Sequence, residues 1–195
     1  MSKTRLEAFS DGVIAILITI MILELKIPEE TDFHALRPLL PIFLTYVMSF
    51  VFLGIYWSNH HHMLHATERV NGAVLWANLH LLFWLSLVPF VTSWMGNTNF
   101  ATWPVALYGV VLLGSALAFT ILVTLLVAVH GQDSTMAAAL ANNTKGNISL
   151  VLYLLAIPLA FVNSWLAGIL YAIVAAMWLV PDTRIERVMP HKSPD

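Results

Sequence analysis

The sequence predicts an all-α integral membrane protein of six transmembrane helices in a single domain spanning residues 1–195, and three observations carry that reading. The chain of 195 residues is 59% hydrophobic and only 10% charged, with a mean hydropathy of +0.80. A soluble domain is about 45–50% apolar and about 25% charged, and no single soluble core of this size could hide so much apolar surface. The apolar residues also fall into runs, at about 9–27, 40–64, 73–95, 102–129, 147–162 and 165–180, of which the first four have the roughly 20 residues a spanning helix needs. Finally, with the N-terminus inside, the inner segments hold Lys3, Arg5, Arg69, Lys145, Arg184, Arg187 and Lys192, and the outer ones only Lys26 and Arg37. That is a positive-inside bias, and it places both termini in the cytoplasm.

The first helix, about 5–27, carries Arg5, Ser10, Asp11 and Glu24 within an otherwise apolar run. Such groups are expensive in hydrocarbon and mark a functional site or a packing network. The run does not read as a signal peptide: it contains Asp11, has no small-x-small cleavage site and continues directly into Glu24 and Lys26. At about 100° per residue, Gly12, Ile16, Thr19, Ile20, Leu23 and Ile27 fall within about 60° of one line. Ser10 and Asp11 lie about 120° and about 220° from Ile16, so they face neighbouring helices while the stripe is free to face a symmetry axis. Arg5 and Asp11 are too far apart for an intrahelical pair, which needs a spacing of three or four. The loop that follows carries Glu24, Glu29, Glu30 and Asp32 against Lys26 and Arg37, an acidic vestibule that would gather cations.

The second helix, about 40–64, ends in YWSNHHHMLHATER, with His60, His61, His62 and His65. His61 and His65 share a face, but nearby carboxylates and thiolates are too few for a metal or haem site. Partnership of some of these histidines with Ser10 and Asp11 is the expectation, since the topology puts them at similar depth. The third helix, about 73–95, brings Asn78 and His80 in from the same side, and Pro89 should bend it. The fourth spans about 102–129. The fifth and sixth, about 147–162 and 165–180, meet at Asn163 and Ser164 as a tight hairpin. One interrupted span over 147–180 is the competing reading, but it would leave the basic C-terminal tail outside. Pro158 should bend the fifth helix and Pro181 stop the sixth. Tryptophans near the predicted ends, Trp57, Trp94, Trp103, Trp165 and Trp178, read as interfacial belts.

Several functions are excluded by what is missing. A net charge of −2 without a basic patch argues against nucleic acid, and zero cysteines remove disulfides and thiolate chemistry. No P-loop, HExxH, GxSxG or pair of carboxylates on one helix is evident, so no catalytic residues and no enzyme are expected. The carbonyl filter TVGYG is absent too.

R-x-x-x-F-S-D-G at Arg5, Phe9, Ser10, Asp11 and Gly12, continuing to Leu23 and Glu24, resembles the signature first helix of the transmembrane protein 175 family, the lysosomal-type potassium channels. YWSNHH from Tyr56 to His61 and the stretch from Asn78 through LVPFVT at Leu87 to Thr92 agree with it. The last three helices agree mainly in length, in the final hairpin and in the PDTRIE ending. The resemblance implies a single-repeat prokaryotic member, a homotetramer in a bacterial or archaeal cell membrane, with the first helix of each subunit lining a central pore. It implies a constriction at Ile16 and further layers at Thr19, Ile20 and Leu23; the topology puts Glu24 at the external mouth. A structural polar network would comprise Arg5, Ser10, Asp11, Trp57, His60, His61 and Asn78; no role carries onto His62, His65 or His80. The partners so implied are potassium ions, further copies of the chain and the lipid bilayer, with no metal and no cofactor beyond the permeant potassium. A leak-type channel with modest preference for potassium over sodium is the function expected. A proton-coupled secondary transporter using Asp11 and the second-helix histidines is the alternative, although the inverted repeats usual to such carriers are not visible.

Overall fold

The computed structural model describes residues 2–29, 31–131 and 144–179, and every regular element among them is helical. Glu30, position 180, Pro181, the PDTRIE ending and the tail cations Arg184, Arg187 and Lys192 lie outside the described residues.

The first helix, α1, covers Lys3–Ile20 and tightens into a 3₁₀ turn over Met21–Glu24. It is therefore shorter than the run 5–27, and Ile27 stands outside any helix. The cause is local: Pro28 disfavours helical geometry in the residue before it, and Leu25 is already extended with ψ 96°. A second 3₁₀ stretch, Phe33–Leu39, is capped by Asp32, whose Oδ1 accepts from the Ala35 N–H at 3.0 Å. It runs directly into α2, Leu40–His65. Pro41 sits in the first turn of α2, where its missing N–H leaves no helical bond unmade.

The expected third helix is two segments. α3, Gly72–Ser86, starts at Asn71, whose side chain accepts the Val74 N–H at 3.0 Å. It breaks at Leu87, and α4 covers Val88–Asn97. Pro89 has no N–H for the carbonyl one turn back, so a helix through this point must be interrupted. Gly72–Asn97 together remain long and apolar enough to cross a membrane, as do Lys3–Glu24, Phe33–His65 and Thr102–His130. α5 is the 29-residue helix Thr102–His130, α6 covers Thr144–Ala160 and α7 Ser164–Leu179. Between α6 and α7 the Asn163 side chain accepts the Trp165 N–H at 2.9 Å and starts the new helix. Residues 147–179 are thus not one continuous helix.

α5 is the hub, packing on α3, α4, α6 and α7, while α6 and α7 lie together as a hairpin. Close approach needs small residues where there is little hydrophobic drive between helices. A Cβ on Gly114 of α5 would run into the Trp84 indole of α3, and one on Gly109 would strike the Tyr171 hydroxyl of α7. Tyr171 donates to the Val105 carbonyl at 3.0 Å, so that hydroxyl is fixed. Ser49, Thr92 and Tyr108 join α2, α4 and α5. Thr92 gives its proton to the Val88 carbonyl at 2.6 Å. It must therefore accept from Ser49 at 2.6 Å, and Ser49 from Tyr108 at 2.9 Å. Each hydroxyl is satisfied without water, as hydrocarbon surroundings require.

Candidate functional site

Leu6, Ser10, Ile14, Leu17 and Met21 are the buried residues of α1 and its 3₁₀ extension. Spaced by threes and fours, they form one line along the helix, and that line packs on α2, α3 and α4. Ser10 is the polar point in it and is wholly buried. It donates to the Leu6 carbonyl at 2.9 Å and accepts from Asn78 Nδ2 at 2.9 Å. Asn78 Oδ1 lies 2.7 Å from His60 Nε2. Because the Asn78 amide nitrogen is already pointed at Ser10, its oxygen must be the acceptor, which puts the His60 proton on Nε2. The bonds run from α2 through α3 to α1 and end on a backbone carbonyl. Among the described residues, His60 Nδ1 is left buried without a partner.

Asp11 and His61 belong to a second, shallower group. Asp11 Oδ1 accepts from Trp57 Nε1 at 3.1 Å, and Glu7 Oε1 lies 3.4 Å from His61 Nδ1. The Trp57 and His61 rings stack at 5.9 Å, and His61 stacks on His65 at 6.1 Å. Ligand atoms of Glu7, Asp11 and His61 all lie within 4.8 Å of one another. The sequence reading missed Glu7. It sits four residues before Asp11, so α1 does carry two carboxylates on one side, and that spacing was the available signal.

Arg5 stands apart from both groups. It is exposed, and among the described residues no hydrogen bond or ion pair reaches it. Lys3, by contrast, donates to the His65 carbonyl at 2.8 Å and ties the start of α1 to the end of α2. His80 accepts from Trp84 at 3.0 Å within its own helix. At the far end of α1, Glu24 accepts from Ser93 of α4 at 2.6 Å.

The other side of α1 is exposed among the described residues. Ile16 is 62% exposed, Ile20 46% and Leu23 77%, and Gly12 and Thr19 are exposed with them. Leu23 lies in the 3₁₀ turn, so the regular wheel holds only as far as Ile20. The Thr19 hydroxyl gives its proton back to its own helix, to the carbonyls of Ala15 at 3.0 Å and Ile16 at 3.1 Å. Its oxygen lone pairs remain available.

Residues 5–89 match the family described as the endosomal/lysosomal potassium channel TMEM175. Over 187 residues, 96% of this chain and 97% of the relative, the sequence is 51% identical to a potassium channel of a Chryseobacterium species. It is 35% identical to a potassium channel of Streptomyces collinus, over 82% of this chain and 83% of that one. Among solved structures, a crystal structure of a lysosomal potassium-selective channel TMEM175 homologue from Chamaesiphon minutus superposes with a TM-score of 0.78. That match has 28% identity and covers 91% of this chain and 96% of the other.

Proposed function

Because the chain belongs to the TMEM175 family, we propose that it is a potassium channel whose pore is lined by α1 at the centre of a homotetramer. The near full-length match to a protein named a potassium channel carries this reading. Six spans, with α6 and α7 as the last two, keep both termini on the cytoplasmic side. At 17 and 16 residues, these two helices are about 25 Å long, against a hydrocarbon core of about 30 Å. The chain is an integral membrane protein crossing the bilayer several times, and a prokaryotic cell membrane is its proposed location.

The exposed stripe supplies the conduction path. Four Ile16 side chains close a narrow neck, with Ile20 and Leu23 stacked toward the outer side. Water is unstable in such a constriction, so the neck gates by dewetting. A cation that passes must give up part of its hydration shell, and potassium does so at less cost than sodium. The free lone pairs of Thr19 return part of that hydration. Without a carbonyl filter the preference for potassium is modest. Glu24, held by Ser93, stands at the external mouth beside the acidic loop. The buried bonds of Ser10, Asn78 and His60, with Asp11, Trp57 and His61 beside them, hold α1 in register so that the stripe faces the axis. No cofactor takes part.

Potassium and sodium flux into liposomes, with subunit number measured on the same preparation, tests this. Potassium flux exceeding sodium flux by a tetramer is the expected result. Absence of flux, or substrate-coupled proton movement, would replace the channel with a carrier that uses Asp11.

A further inference from the structure

We propose that Arg5 belongs to the ion pathway instead of the packing network. With its symmetry copies it forms a cationic ring at the inner mouth, which depletes potassium there and makes conduction favour the inward direction. The proposal rests on the tetrameric pore around α1.

Position is the first argument. Arg5 and Ile16 are eleven residues apart, which at 3.6 per turn puts them within about 20° of one line and about 16 Å apart along the axis. Arg5 therefore continues the exposed stripe toward the inner end. Isolation is the second argument. Lys3 is spent on the His65 carbonyl, and Glu7 and Asp11 lie on the opposite side against His61 and Trp57. Among the described residues nothing offsets the Arg5 charge. The third argument is the helix itself. The first turn of α1 holds no acidic residue, so the N-terminus adds about half a positive charge per subunit to the same mouth. Glu24 and the acidic loop carry the opposite sign at the other end. A pathway positive inside and negative outside gathers cations on one side and thins them on the other.

Single-channel currents in symmetric potassium chloride test the ring. At about 10 mM salt, where the Debye length is about 30 Å, outward current should be the smaller in the native channel. Arg5→Gln should raise it about threefold and Arg5→Glu further, while Arg5→Lys keeps the native shape. At about 1 M salt the Debye length is about 3 Å and the four should converge. The chain has no cysteine, so Arg5→Cys can be modified at will: a cationic thiol reagent from the inner side should restore the native asymmetry and an anionic one invert it. Low-salt current–voltage curves of one shape for the Arg, Gln and Glu channels would overturn the ring. So would failure of the Gln, Glu and Cys variants alike to assemble, since Arg5 would then be a packing residue. A native protein that passes no potassium at all would refute the channel reading itself.

Discussion

The two sides of α1 are built by different rules. The side toward α2, α3 and α4 carries Ser10 in a closed series of hydrogen bonds with Asn78 and His60, flanked by Leu6, Ile14, Leu17 and Met21. The opposite side carries Gly12, Ile16, Thr19 and Ile20, which are exposed among the described residues. In hydrocarbon a polar group needs a partner, so the polar side is the anchored one. The plain side is the one proposed above to face symmetry copies and ions. Polarity in a membrane helix therefore does not by itself mark where an ion passes; here it marks where the helix is held.

Changes on the anchored side should be felt as stability, and changes on the free side as conduction. Asn78→Leu should have the largest structural effect. It removes the one partner that two buried groups share, leaving the His60 N–H and the Ser10 oxygen unmet, at a cost of about 2–3 kcal/mol. Thermal unfolding in detergent and loss of the oligomer on size exclusion read it. Trp57→Phe keeps the ring stacking but loses the bond to Asp11. Half-exposed as that bond is, about 0.5–1 kcal/mol is expected by the same assay. Thr19→Val lies on the free side and is near isosteric. Unfolding should move by less than about 0.5 kcal/mol, while potassium preference over sodium, read from reversal potentials, falls slightly. An Asn78 variant as stable as the native protein, or a Thr19 variant that falls apart, would dissolve the distinction between the two sides.

Much of the frame was legible in the sequence because bilayer physics leaves few choices. Long apolar runs and the Asn163–Ser164 junction located most of the helical segments, though not their ends. The break at Leu87 came from the same Pro89 that was expected only to bend the third helix. What stayed hidden depended on which side of a helix a long side chain takes. The resemblance carried Arg5 into the polar network; among the described residues it is exposed and in register with the stripe. The end of α1 was placed too late because apolar residues continue to Ile27, while Pro28 had already bent the backbone out of the helix. Glu7, four residues before Asp11, is not one of the motif residues, so the resemblance does not mark it. The choice of His60 as the buried histidine, with His61 half-exposed beside it, turns on about 100° of helix rotation, which a run of identical residues does not reveal.

The central claim is that the exposed isoleucine face of α1 is the constriction. Single-channel recording of Ile16→Asn in planar bilayers tests it most directly. A polar ring in place of an apolar one should let water stay, raise conductance several-fold and bring potassium and sodium permeabilities close together, with the oligomer intact. Unchanged conductance and unchanged potassium preference in an assembled Ile16→Asn channel would contradict the account.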